Sequence, residues 1–275
     1  MARVSSLRVM AMAITALCLL PNFVTAASPT TRAAQLLSEQ LRKAQYVPNE
    51  SDTSYRFVLD VAALGEKQQQ EYPLQLVGHQ GKAYFVASAQ PTAKVFVAEK
   101  TYCSYDLNQW LCHAIAPTAF DQSLRSPRMN LYPPTAMYLL LDLIERHASA
   151  TVVSVAGERT VAGQACTAFR VAFDTTQLSR EVVAKHLYLN FDSPKALDYL
   201  TGASAEVCFD KVTGQALSYW NEASIDQAAM VTDGAIPDAT QLADQPLGTM
   251  RGGFEATRVS ASAPSVEAFY QVPKE

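Results

Sequence analysis

The chain has 275 residues, 49% of them hydrophobic and 17% charged, which is ample for one sizeable core and places it among ordinary globular proteins. A formal net charge of −4 leaves no basic footprint for nucleic acid. It also gives no electrostatic reason to sit on an anionic membrane.

Arg3 and Arg8 precede an apolar run from Val9 to Leu20, and Val24-Thr25-Ala26 then supplies the small residues a signal peptidase needs. Residues 1–26 therefore read as a secretory signal, with the mature chain at 27–275 as one domain. The run is shorter than the roughly 20 residues that span a bilayer, so a retained anchor is the weaker alternative. Cys18 does not read as a lipidation site, because Leu17 is bulky where such signals want a small residue.

Thr31 can cap a first helix running to about Ala44, with Ala33, Leu37 and Leu41 on one face and Glu39, Gln40, Arg42 and Lys43 opposite. Residues 46–53 read as a polar connection containing the formal glycosylation acceptor Asn49-Glu50-Ser51. Strands then follow closely. Ser54 to Leu64 alternates, with Tyr55, Phe57, Leu59 and Val61 on one side and Arg56 and Asp60 on the other. Residues 65–70 read as a polar turn, and 74–79 with 82–88 as a hairpin across Gln80-Gly81. Strands at 93–98, 100–105 and 109–115 continue the meander, and connections this short force antiparallel neighbours.

Residues 116–132 break the pattern with Pro117 and Pro127 and form either a lid or a crossover. Pro133 and Pro134 then open a helix over Thr135 to Arg146. Met137, Leu140, Leu141 and Ile144 stand at i, i+3, i+4 and i+7; Ala136, Leu139 and Leu143 widen that face, leaving Asp142, Glu145 and Arg146 to mark the wet side. So broadly apolar a helix needs cover on more than one flank. Further strands are expected at 151–157, 158–161, 165–174, 182–191, 205–209, 215–224 and 254–261, with a short helix or loop at 193–200, a short helix or loop within 225–248 and an extended tail at 264–273. The fold class is mainly β with helices (α+β): a strongly curved antiparallel sheet, or unclosed barrel, wrapped around the central helix.

Removal of the signal leaves Cys103, Cys112, Cys166 and Cys208 in an oxidising compartment. Four cysteines allow three pairings, and the short separation across a turn favours Cys103 with Cys112, leaving Cys166 with Cys208. A metal site is the rival reading, but metal-binding cysteines come in closer pairs with histidines nearby.

Catalytic signatures are missing from the residue pattern. His79, His113, His147 and His186 have no metal-ligand spacing, and no Gly-x-Ser-x-Gly elbow or glycine-rich phosphate loop occurs. His147 follows the central helix, where an imidazolium suits the dipole. Asp142 and Glu145 share a wet helical face, Arg125 with Arg128 is too small a basic patch for nucleic acid, and Trp110 with Tyr102 and Tyr105 read as cross-strand packing. The chain therefore reads as non-enzymatic, with no cofactor and no metal. A curved sheet that its helices fill incompletely keeps an apolar cavity. The candidate lining is Phe57, Leu59 and Val61, then Met137, Leu140, Leu141 and Ile144, then Phe169, Val171, Phe173, Leu187 and Leu189; a dry core is the alternative for each.

This order of elements resembles the periplasmic lipoprotein-carrier superfamily of LolA, LolB and the LppX and LprG type proteins. Val155-Ala156-Gly157 through Val161-Ala162-Gly163 into Phe169-Arg170-Val171, and Phe209-Asp210-Lys211-Val212-Thr213-Gly214-Gln215-Ala216-Leu217, are similar to paired strands there. The resemblance is one of layout over most of the mature chain. The lipidation cysteine of LolB and LppX is missing, and no arginine is assigned to the acyl-controlling role known in LolA. The resemblance implies an unclosed barrel with a helical plug, and a carrier or chaperone for lipids or lipoprotein acyl chains, expected to be a monomer in the periplasm or outside the cell. The alternative is an envelope protein-binding or sensor module with a fully packed core and no lipid ligand.

Overall fold

A computed structural model describes residues 29–63, 66–87, 94–98, 101–106, 109–114, 132–178, 198–234 and 247–265; the backbone alone is described for the strands between 94 and 114. The elements in order are helix α1 (Pro29–Lys43), strands β1 (Ser51–Ala63), β2 (Glu66–His79), β3 (Lys82–Ala87), β4 (Lys94–Ala98), β5 (Thr101–Asp106) and β6 (Gln109–Ala114), and helix α2 (Pro133–Arg146). After them come β7 (Thr151–Val161), β8 (Gln164–Phe173), β9 (Leu200–Asp210), β10 (Ala216–Asp226), helix α3 (Gln227–Thr232) and β11 (Leu247–Ser260). A single-turn 3₁₀ segment, Ala148–Ala150, links α2 to β7.

The eleven strands among the described residues join one antiparallel sheet in the order β6-β5-β4-β3-β2-β1-β11-β10-β9-β8-β7. The last strand in sequence inserts beside the first and ties two meanders into one surface. Among the described residues the sheet does not close, and β6 and β7 are its two edges. It curls strongly nonetheless. Tyr55 on β1 donates its hydroxyl to the Ala216 carbonyl on β10, across the intervening β11, at 3.0 Å. β7 also comes back into contact with β11 although three strands lie between them. The half-barrel expected from the sequence is therefore the observed fold class.

The central helix is buried as its composition requires. From Pro133 to Ile144 the exceptions are Tyr138 and Asp142, and the six large apolar side chains at 137, 139, 140, 141, 143 and 144 are all enclosed. At about 1.5–3 kcal/mol each, their burial contributes on the order of 10 kcal/mol. The helix starts with no side-chain cap, because proline occupies its first positions and needs no N–H partner. Helix α1 lies against it and against β7, burying Leu37 and Leu41, while Arg42 pairs with Glu145 across the rim. Asp142 pairs with Arg146 one turn on, at 2.5 Å, so the two acidic residues of the wet face are both engaged in ion pairs. His147 caps the helix through its backbone N–H to the Leu143 carbonyl.

Several boundaries differ from the sequence reading, beginning with β1, which starts at Ser51 within the run 46–53 expected as a polar connection because Ser51–Thr53 pair with Leu76–Gly78. The polar run Glu66–Gln70, expected as a turn, is the first part of β2, because its backbone pairs residue for residue with Leu59–Ala63. Residues 151–161 form one strand where two were expected. A bulge at Gly157, with φ +108°, bends it and lets the pairing with β8 resume. β9 begins at Leu200 and β11 at Leu247, both earlier than the apolar alternation signalled.

Cys166 and Cys208 form a disulfide between β8 and β9, with Cα atoms 5.6 Å apart. Cys103 and Cys112 are direct cross-strand partners in the β5–β6 ladder, as are Tyr105 and Trp110. Their side chains lie outside the described set, as do the whole of residues 1–28, 116–131 and 182–191, and with them Arg125, Arg128 and His186.

Candidate functional site

The concave face is ordered in rows across the strands. One row runs Val155, Phe169, Val207, Tyr219, Phe254, Phe57, Tyr72 from β7 to β2. The next runs Val153, Val171, Ala205, Asn221, Gly252, Leu59, Gln70 over the same strands. Helices cover this face unevenly. The strongest helix–sheet contacts are α1 with β7 and α2 with β10. Beneath them Phe169, Val171, Phe173 and Val207 are buried, whereas Phe57, Leu59 and Tyr72 on β1 and β2 are only half-buried.

A small cavity marks that boundary. It is lined by Phe57, Leu59, Ala136, Tyr219, Asn221, Gly252, Gly253 and Phe254, and holds about 20 Å³, room for about one water. In the second row glycine at 252 lets Asn221 and Leu59 close to within contact distance of the place a β-carbon would take. A β-carbon there would stand 3.3 Å from Asn221 Oδ1 and 3.6 Å from Leu59 Cδ1.

The sequence-derived lining residues divide at this point. Phe57 and Leu59 reach the cavity, next to Ala136 at the start of α2. Met137, Leu140, Leu141, Ile144, Phe169, Val171 and Phe173 are buried in the core cluster. The side chain of Val61, and Leu187 and Leu189 entirely, lie outside the described residues. The lining residues not singled out from sequence are Ala136, Tyr219, Asn221, Gly252, Gly253 and Phe254. Alternation through Tyr219-Trp220-Asn221 and Gly252-Gly253-Phe254 was the signal for them, weakened by two glycines and an asparagine on what had to be an inward face.

Polar groups within the concavity are sparse and sharply partitioned. Near the β9–β10 turn, Gln215 Nε2 donates to Tyr55 Oη at 2.7 Å and to Thr53 Oγ1 at 3.1 Å, closing a buried network around the Tyr55–Ala216 bond. Burial pushes the phenols of Tyr55, Tyr132 and Tyr219 far up, so all three are neutral donors at any physiological pH. Two buried hydroxyls, Tyr219 Oη and Thr135 Oγ1, have no hydrogen-bond partner. The Asn221 side chain approaches the Tyr219 hydroxyl and slightly favours its ionised form, but the two do not meet in hydrogen-bond geometry.

The convex face has a different character. Two shallow grooves of about 310 and 440 Å³ meet at Trp220 and Arg251, where the guanidinium stacks 4.3 Å from the indole centroid. Charges of both signs line them. Glu206 accepts from Arg159 and, at 3.0 Å, from Arg170. Burial works against ionisation of Glu206, but hydrogen bonds and charge from the two arginines outweigh it and hold the carboxyl below its ordinary 4.5. A depressed carboxyl contributes stability that is complete above 4.5 and is lost as pH falls through the folded value. Arg159→Gln/Arg170→Gln is therefore expected to flatten the acid limb. In urea titrations from pH 6 to 3, the wild type should lose its advantage of less than about 1 kcal/mol below pH 4.5, and parallel curves would refute it.

Among the described residues, no group of three or more histidine, cysteine, aspartate or glutamate side chains is placed to hold a metal ion. No described helix is long and apolar enough to cross a membrane.

No family model and no curated protein matches the chain. Among solved structures it is similar to MucB in the Pseudomonas aeruginosa MucA/MucB complex, at 12% identity and a TM-score of 0.40, covering 86% of this chain and 61% of that one. It is also similar to the Mycobacterium tuberculosis lipoprotein LppX, at 11% identity and a TM-score of 0.35, covering 85% and 98%. A LolA superfamily protein from Nitrosomonas europaea aligns at 4% identity and a TM-score of 0.29, covering 86% and 95%. The chain thus spans less than two thirds of the MucB length.

Proposed function

We propose that the mature chain is an exported, non-catalytic carrier that shelters an acyl chain of a lipid or lipidated protein between α2 and the β1–β2 side of its half-barrel. The observation that carries this reading is the unevenness of cover: Phe169, Val207, Tyr219 and Phe254 are enclosed, whereas Phe57 and Tyr72, further along the same row, and Leu59 beside them are only half-buried. An acyl chain is the ligand that matches half-buried aromatic and aliphatic side chains with no charged group in the lining. The Cys166–Cys208 disulfide supports an oxidising compartment, in keeping with a cleaved signal at residues 1–26. With room for about one water in the closed form, loading requires the start of α2 to lift from Phe57 and Leu59.

About ten buried methylenes at ~0.8 kcal/mol each correspond to binding on the order of micromolar. Native mass spectrometry of protein purified from its own envelope should recover acyl lipids, and a fluorescent acyl probe should bind and be weakened at least several-fold by Leu59→Asn. Ligand-free protein that ignores the probe would overturn the proposal. The small cavity volume favours a second reading, an envelope module with a packed core and a protein partner, and that outcome would select it.

A further inference from the structure

The orphan hydroxyl of Tyr219 stands where a ligand's polar end would meet it. Tyr219 lines the cavity, is 1% exposed and leaves its Oη unpartnered; Thr135, whose Oγ1 is also unpartnered, directly precedes the lining residue Ala136. Asn221, 3% exposed, adds an amide on the next row. A buried hydroxyl without a partner is destabilising, and one that lines an unfilled space is unusual for a dry core. The Tyr219 hydroxyl can donate, so it fits an acceptor oxygen. No charged residue lines the cavity, so an ionised carboxylate would pay desolvation without a counter-charge.

Resting on the carrier reading, we infer that the Tyr219–Asn221–Gly252 niche receives the neutral carbonyl oxygen of an acyl ester, so that the chain binds carbonyl end inward and runs out over Phe57 and Leu59. Gly252 makes the room, since any side chain there would enter the same space. Tyr219 Oη then donates to the ester carbonyl. The niche would thereby discriminate among apolar ligands of one length by a single oxygen.

The test compares displacement of a bound fluorescent probe by methyl palmitate, ionised palmitate and hexadecane from wild type, Tyr219→Phe and Gly252→Ala. The wild type should prefer the ester over the alkane by about tenfold, and ionised palmitate should bind less well than the ester. Both variants should lose the ester preference. An isotope-labelled ester carbonyl should show a hydrogen-bonded infrared stretch in the wild type and a free one in Tyr219→Phe. Wild type that binds ester and alkane equally overturns the inference and leaves the carrier reading standing; a melting temperature that Tyr219→Phe lowers would then mean that a trapped water satisfies the hydroxyl. If neither ester nor alkane displaces the probe, or no probe binds at all, the carrier reading fails and this inference with it.

Discussion

Leu140→Asp will leave no cooperatively folded protein. Leu140 is 0% exposed and sits on the inward face of α2 amid Met137, Leu143 and Ile144, which are at most 3% exposed. A carboxylate at that point loses its hydration, and the core around α2 contains no cation to replace it. An unpaired buried charge costs several kcal/mol even after relaxation. Added to it is the packing lost with the leucine, about 2–5 kcal/mol in buried sites. The sum is comparable with the whole stability of an ordinary domain, about 5–15 kcal/mol. Near-ultraviolet circular dichroism and a urea titration decide the matter: the expected variant has no side-chain signal and no transition. Leu140→Ala serves as the graded companion, keeping a transition shifted down by about 2–5 kcal/mol. A Leu140→Asp protein that melts cooperatively at an unchanged midpoint would show that α2 is not the centre of the core.

What the sequence made legible follows from periodicity, and what it hid follows from backbone pairing. Helix α2 was readable because seven apolar residues in one turn-spaced cluster fit no other conformation, and its burial from Pro133 to Ile144 agrees. The alternation Tyr55, Phe57, Leu59 against Arg56 and Asp60 likewise foretold the two faces of β1. The polar start of β2 was hidden, because Glu66-Lys67-Gln68-Gln69-Gln70 has no apolar face to announce a strand and is held by its ladder with β1. The insertion of β11 between β1 and β10 was equally invisible: partners some two hundred residues apart leave no local mark. The cavity depended on that insertion. Phe57 and Leu59 fall on one side of β1, as their alternation indicated, but Gly252 acquires its meaning only when Leu59 and Asn221 are set on either side of it.

The second large effect concerns the covalent link between β8 and β9. Cys166 and Cys208 are 42 residues apart in sequence, and closing a loop of that size removes about 4 kcal/mol worth of freedom from the unfolded chain. Both cysteines are buried, at 0% and 1% exposure, so alanine, which leaves no unpaired polar atom behind, is the proper replacement. Cys166→Ala/Cys208→Ala should fold to the same sheet, because the β8–β9 ladder runs from Cys166 opposite Asp210 to Phe173 opposite Ala203 without needing the bridge for its register. Its stability in urea should fall by about 3–4 kcal/mol. The urea slope should also steepen, since an unfolded chain free of the link exposes more surface. Reductant added to the wild type should reproduce at least that loss, whereas reductant added to the double variant isolates whatever Cys103 and Cys112 contribute. A double variant as stable as the wild type would mean that the apolar packing of Phe169, Val207 and Phe209 already restrains this part of the chain before folding. The bridge would then be a consequence of an oxidising compartment and not a support of the fold.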